Sequence, residues 1–374
     1  MRNIIFTLCI TLFIAVMGYM PFASAKQNPK VLMVVSSYGE DQGKTKPGYE
    51  FDEFAKAYLV FKQNGLAIDV ASPKGGLVEA DEYDASKPFN AKLLADEQAN
   101  QQIAQTIALS EINAQDYQAV FVVGGKGAMF DLPYDKHLQA IIADIYQNQG
   151  TVSAVCHGPA ALTEVKLANG EYLVANKKVN GFTNEEEKVF GKKWVKHFDF
   201  LLEDRLIERG AKFEKAGKML GYVAIDNRLV TGQNPMSTGK TAIEVVRSLG
   251  ITPKAMHFAD EASMELVNNL LVNNQDISKA LAENTSLYDP KLIAMYGFFH
   301  LKTAADKHAI AQAVKLMEAS KPYMKHPKLS LAIAKGYEKL GNYQQAKLTL
   351  NELLATNPEF EDAKTLLNKI SSNS

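Results

Sequence analysis

Cysteine is scarce in this chain. Its 374 residues hold two, Cys9 and Cys156, so a fold held together by disulfides is excluded. Charge of one sign is also missing, since 41 basic against 42 acidic side chains leave a formal net charge of -1. With no long basic run either, nothing supports a nucleic-acid binder that draws its affinity from counterion release. Dinucleotide and Walker fingerprints are absent, because the glycine-rich Gly124-Gly125-Lys126-Gly127 lacks their spacing. Six of the seven histidines (His137, His197, His257, His300, His308 and His326) are scattered without metal-ligand spacing, so no metal site is expected. What the chain does have is 47% hydrophobic residues against 22% charged. That suits a packed core, at a length that predicts two domains or one large domain with an appendage.

Residues 1–25 run from Arg2 through an apolar stretch, Ile4 to Met20, to Ala23-Ser24-Ala25 ahead of the polar Lys26-Gln27-Asn28. A basic start, a short apolar core and small residues at the -3 and -1 positions predict a secretory signal peptide cleaved after Ala25. The alternative is an uncleaved anchor, and only then would the chain touch a membrane. Cleavage removes Cys9 and predicts an exported protein, periplasmic or secreted, with one thiol and no intramolecular disulfide partner.

From Val31 onward, short runs apolar on both faces alternate with helical runs. Strands are expected at Val31–Ser37, Ala67–Pro73, Ala119–Val123, Thr151–Val155 and Lys178–Phe182, with a hairpin from Tyr222 to Thr231 turning at Asp226-Asn227. Helices are expected at Tyr49–Asn64, Lys136–Gln147, Pro159–Val165, Phe198–Arg209 and Ser237–Leu249. Such alternation predicts an α/β domain over residues 28–252, a doubly wound, mostly parallel sheet covered on both sides. Residues 75–113 break the rhythm with an acidic, turn-rich stretch and one Gln-rich helix, read as a cap insertion over the active-site face. After Thr252-Pro253 the β signals vanish, and residues 254–374 read as an all-α region. Tyr337, Leu340-Gly341-Asn342-Tyr343, Ala346 and Pro358 there have tetratricopeptide-like spacing. Units of that kind need neighbours to bury their faces, so the tail is expected to dock on the α/β domain or on a protein partner.

The sharpest chemical signal is Val155-Cys156-His157-Gly158-Pro159, directly after a strand and before an expected helix. A nucleophile on such a turn projects above the sheet. The positive end of the helix is expected to favour the thiolate and lower its pKa. Glu50, Asp52 and Glu53 lie in the first turns of another expected helix, where acids suit the dipole and are commonly just solvated. Asn184 with Glu187 three residues on has the spacing of a capping box, which would satisfy helix amides without any catalysis.

Taken in order, several stretches resemble the ThiJ/PfpI superfamily, with its flavodoxin-like, class I glutamine amidotransferase-like fold. They are Ser36-Ser37-Tyr38, Gly48 to Glu53, Ala71-Ser72-Pro73, Gly124 to Gly127 with Phe130-Asp131, Val155 to Pro159, Gly181 to Glu187, and Leu229 to Pro235. The likeness is greatest to the heat-shock chaperone and glyoxalase III branch. It covers residues 30–250; the signal segment and the helical tail fall outside the usual pattern.

The resemblance implies that Cys156 is the nucleophile and Glu53 the carboxyl that handles protons beside its sulfur. It implies that His157 is the imidazole and Glu187 the carboxylate orienting it, with Glu186 the competitor for that role. Backbone amides of Gly125 and His157 would bind the oxyanion, with Gly124 permitting the close approach. Lys126 stands where the family commonly has histidine, a departure that bears on substrate preference. The implied activity is cofactor-free conversion of a small 2-oxoaldehyde such as methylglyoxal to a 2-hydroxy acid. Alternatives are a cysteine amidase, peptidase or protein deglycase, and a stress chaperone or interaction module working through its tail; a homodimer is left open. If the protein is a catalyst, deletion of residues 254–374 is expected to spare turnover.

Overall fold

The computed structural model describes residues 28–191 and 193–372, so the signal peptide expected at residues 1–25 lies outside the described residues. The α/β region contains β1 (Lys30–Val34), α1 (Phe51–Gln63), β2 (Ala67–Ser72), α2 (Pro88–Leu94), α3 (Glu97–Ala104), β3 (Ile107–Ala108), β4 (Ala119–Val122), α4 (Lys136–Gln147) and β5 (Thr151–Val155). It continues with β6 (Lys178–Val179), α5 (Asn184–Phe190), α6 (Leu202–Glu208), β7 (Lys212–Phe213), β8 (Val223–Asp226), β9 (Leu229–Gly232) and α7 (Thr238–Ser248). Seven strands form one sheet in the order β3-β2-β1-β4-β5-β9-β8. Every pairing is parallel except the hairpin β8–β9, which turns through Asn227 at φ 58°. From β1 the chain winds first to one side and then, from β4, to the other. The C-terminal ends of β1 and β4 therefore open the crevice where doubly wound sheets bind ligands.

Continuous apolar runs build the centre of this sheet because both of its faces are covered. In β1, Val31 to Val34 are fully buried, as are Ala119 to Val122 in β4. Helix α4 is set at its start by Asp135, whose carboxylate accepts from the Leu138 amide. Leu138, Ile141, Ile142 and Ile145 make its buried stripe.

Three expectations need correction. The stretch 75–113 holds two helices, α2 and α3, rather than one, and it ends in β3, which pairs with β2 as the sheet's edge. Residues 178–182 give a two-residue strand that pairs with β7 in a separate small sheet. The expected helix at 159–165 is a single 3-10 segment, Gly158–Leu162, in a crowded corner where all five residues are buried.

Beyond α7 the chain is helical: α8 (Ala259–Asn273), α9 (Ser278–Glu283), α10 (Pro290–Thr303), α11 (Lys307–Ser320), α12 (Pro327–Leu340), α13 (Tyr343–Thr356) and α14 (Glu361–Ser372). This region packs against the α/β region through an apolar cluster that joins Leu220 and Met236 to Met264 and Val267 of α8, and a buried charge anchors it beside α1. Lys56, on α1 and fully buried, pairs with Asp260 at 2.6 Å and Glu261 at 3.3 Å, both on α8. It also donates to the Pro235 carbonyl at 3.2 Å and lies against the rings of Phe89 and Phe258. Burial alone would lower the lysine pKa, but Glu261 and Asp260 more than offset it and hold the ammonium charged. The tail therefore completes the surroundings of α1, the helix that carries Glu53.

Candidate active site

At the end of β5 the chain turns sharply, and Cys156 takes φ 60°. A side chain other than glycine is uncommon there and costs on the order of 1 kcal/mol. Two backbone bonds hold the strained residue: its amide donates to the Gly232 carbonyl at 2.9 Å, and its carbonyl accepts from the Phe182 amide at 2.7 Å. Its thiol stands beside the ends of β4 and α1, 4% exposed.

Three side chains sent from different elements build the site around this sulfur. The ring of His157 places Nδ1 3.4 Å from Sγ. Its Nε2 lies 2.5 Å from Glu187 Oε1, so with Nε2 protonated toward the carboxylate the Nδ1 lone pair faces the thiol. Phe182 and Phe198 pack on the ring with centroids at 4.5 and 6.0 Å, keeping water from it. The third group, Glu53 from the first turn of α1, is fully buried. Its Oε2 accepts from the Gly124 amide at 2.8 Å, its Oε1 is buried without a partner among the described residues, and its carboxyl acts electrostatically on the neighbouring Cys156 thiol. A Cβ on Gly124 would stand 2.6 Å from that Oε2 and 2.8 Å from Cys156 Cβ, so only glycine lets carboxyl, turn and thiol converge.

The structure separates the two competing glutamates. Thr183 is the helix cap of α5, and its capping box is closed by Glu186, not by Asn184 and Glu187. Glu186 also accepts from the Met219 amide and from Asn234 and Gln233. All of its acceptor capacity goes into holding α5 in place, whereas Glu187, one residue on, reaches His157. The sequence spacing was ambiguous by one residue, which is a rotation of about 100° on a helix.

Of the glycines, Gly124 gives its amide to Glu53 and so is not a free donor for substrate. The amides of Gly125 and His157 bond to no described residue, which leaves both available to an oxyanion. Gly125, at φ 94°, lies against the backbone of Gly48, Tyr49 and Glu50. Lys126 is half-buried and forms no ion pair among the described residues. Its charge favours the thiolate of Cys156 and the carboxylate of Glu50.

Electrostatically the site differs from expectation. Burial pushes the Cys156 thiol well up, and the charges of Glu53 and Glu50 add to the shift. Burial, with Glu50 next, likewise raises Glu53. A 3-10 segment of one turn supplies little dipole, and two anions cannot share so dry a volume. Both effects disfavour a resting thiolate.

Sequence reasoning left out three contributors. Glu50 is half-buried, and its pKa is pushed up to about 7 by burial and then by Asp52. Asp131 accepts from the Ser36 hydroxyl at 2.9 Å and the Ser37 amide at 2.7 Å, tying the end of β1 to the turn after β4. A run of rings, Tyr38 stacked on Phe130 at 4.4 Å with Trp194 and Phe198 edge-on to Phe130, leads away from His157. The acid triplet and the resembling stretches Ser36-Ser37-Tyr38 and Phe130-Asp131 contained these residues without giving any of them a role.

Glu50 gives a direct test. As pH rises through about 7 its charge appears near the sulfur and opposes thiolate formation. Glu50→Gln is therefore expected to shift the pH curve of Cys156 alkylation by iodoacetamide downward by roughly 0.5–1 unit. An unmoved curve would show that Glu50 does not act on the thiol.

Comparison with known proteins finds relatives along the α/β region. A glutathione-independent glyoxalase of Saccharomyces cerevisiae, HSP31, is 35% identical over 236 residues, which span 59% of this chain and 98% of that protein. Glyoxalase 3 of Candida albicans is 33% identical over 229 residues, 58% of this chain and 97% of its own length. Among solved structures, glyoxalase III from Candida albicans aligns with a TM-score of 0.54 at 31% identity, over 59% of this chain and 97% of that one. The Rapid Encystment Protein of 24 kDa from Francisella tularensis aligns with a TM-score of 0.55 at 33% identity, over 59% and 99%. The DJ-1/PfpI family model matches residues 30–248, more than half of the chain and all of the elements that build the site, so the chain belongs to the DJ-1/PfpI family.

Proposed function

We propose that the protein is a cofactor-independent, cysteine-dependent enzyme of glyoxalase III type, converting small 2-oxoaldehydes such as methylglyoxal into 2-hydroxy acids. The observation that carries this reading is one sulfur flanked by two proton acceptors, His157 Nδ1 at 3.4 Å and the buried Glu53 carboxyl. The names of relatives that are 30% identical or more over nearly their full length support it.

The chemistry follows from the placement. As Sγ attacks the aldehyde carbon, His157 takes the thiol proton and returns it to the aldehyde oxygen, giving a hemithioacetal. While charge develops on that oxygen, the free amides of Gly125 and His157 stabilise it. Glu53 then removes the proton from C1, and the resulting enediol is reprotonated at C2, leaving a thioester. Burial makes the Glu53 carboxylate a stronger base than a solvated one, which suits a carbon acid. Water, deprotonated by His157, cleaves the thioester and restores the thiol. The balance is one 2-oxoaldehyde plus one water to one 2-hydroxy acid, with no net oxidation.

Purified protein is expected to convert methylglyoxal to lactate mole for mole without added glutathione. In D2O the product should carry deuterium at C2, because the enediol is reprotonated from exchangeable Glu53. Methylglyoxal left unconsumed would sink the proposal. For the cellular setting, the layout of residues 1–25 supports export.

A further inference from the structure

The segment that leads from β2 into α2 lies against the loop before α1, and that loop lies against the turn that carries the Gly125 amide. The first of these contacts runs backbone to backbone. Tyr49 and Ala80 form a parallel bridge, and the Asp81 amide donates to the Tyr49 carbonyl at 3.0 Å. Gly48 makes that approach possible, since a Cβ there would stand 2.1 Å from the Glu79 carbonyl oxygen. On its other side the loop meets the turn in the same way. The Gly127 amide donates to the Gly48 carbonyl at 3.0 Å, and the Glu50 amide donates to the Gly124 carbonyl at 3.1 Å. Gly125 lies between these two bonds, where a Cβ would stand 2.4 Å from the Glu50 nitrogen.

A side chain reinforces this stack. Asp81 Oδ1 accepts from the Gly48 amide at 2.7 Å. Gly48 is buried, and a buried amide left without a partner is costly. A carboxylate is also a stronger acceptor than a neutral oxygen. Gly48 therefore receives Asp81 at its amide and offers its carbonyl to the turn beyond.

We infer that Asp81 is a positioning residue for the oxyanion: through Gly48 it fixes where the Gly125 amide points. The inference rests on the glyoxalase reading, in which that amide stabilises charge on the aldehyde oxygen. A donor of this kind acts most strongly in the transition state, and a displacement of about 1 Å forfeits much of its effect. The Asp81 charge also raises the pKa of Glu50, so loss of charge has to be separated from loss of the hydrogen bond.

Asp81→Asn and Asp81→Ala make that separation. Both remove the charge, but the asparagine oxygen can still accept from Gly48. Asp81→Ala is expected to lower kcat for methylglyoxal about 10–100-fold with KM within about threefold, and Asp81→Asn to keep kcat within about threefold of wild type. Iodoacetamide labelling of Cys156 needs no oxyanion and should be the same in the two variants. A second readout is independent of turnover. Hydrogen exchange at the Gly127 amide, followed by mass spectrometry of a peptide that spans it, should be about tenfold faster or more in Asp81→Ala and unchanged in Asp81→Asn. Equal exchange in wild type and Asp81→Ala, or equal loss of kcat in the two variants, would overturn the inference. A wild type that leaves methylglyoxal unconsumed would instead remove the glyoxalase reading, and the exchange rates would still decide whether Asp81 sets the turn.

Discussion

Cys156→Ala is expected to lower kcat/KM for methylglyoxal by about 10⁴-fold or more, because binding and oxyanion stabilisation alone cannot replace a covalent intermediate. The substitution removes one sulfur from a 4% exposed position and keeps the backbone strain, so thermal unfolding should hardly change. Glu53→Gln is expected to cost about 10²–10⁴-fold, the usual range for a positioned acid-base group. Its amide can still accept from Gly124 but cannot take the C1 proton. Combining the two should add little to the effect of Cys156→Ala, since both residues act in one sequence of steps. A Cys156→Ala protein retaining a tenth of wild-type turnover would rule out the covalent route.

Deletion of residues 254–374 is expected to destabilise the catalytic region and abolish turnover, contrary to what the sequence alone suggested for a catalyst. Asp260 and Glu261 are the counter-charges of Lys56, which is fully buried on the helix carrying Glu53. Removing the partners of a buried charge costs about 3–5 kcal/mol, which for a domain of this size lowers Tm by roughly 10 °C or more. Glu261→Gln with Asp260→Asn in the full chain isolates that effect from the rest of the tail. Lys56→Met in the truncated protein should restore part of the lost stability, because an apolar side chain needs no counter-charge. A truncated protein with unchanged Tm and kcat would show the tail to be a dispensable appendage.

The contrast between these two predictions reflects what a sequence can carry. Strands β4 and β5 and helix α4 were readable because their apolar periodicities are strong and local, and the turn at Cys156-His157 was readable because it sits directly after one of those strands. The acid triplet and the 183–187 run suggested candidates but could not choose among them. Glu53 differs from Glu50 and Asp52, and Glu187 from Glu186, only by where a helix face points once it is packed. The raised thiol pKa was illegible for a related reason. It depends on burial and on Glu53 and Glu50 arriving from another element, whereas the helix expected to lower it proved to be a single 3-10 turn. The Lys56 anchor joins residues some 200 positions apart, and nothing in either local sequence marks it.

The raised pKa of Cys156 has a further effect. Peroxide attacks thiolates that it can reach, and here the sulfur is nearly covered and its thiolate is disfavoured. The burial and the neighbouring carboxylates that raise the Cys156 pKa are therefore expected to slow its oxidation by hydrogen peroxide.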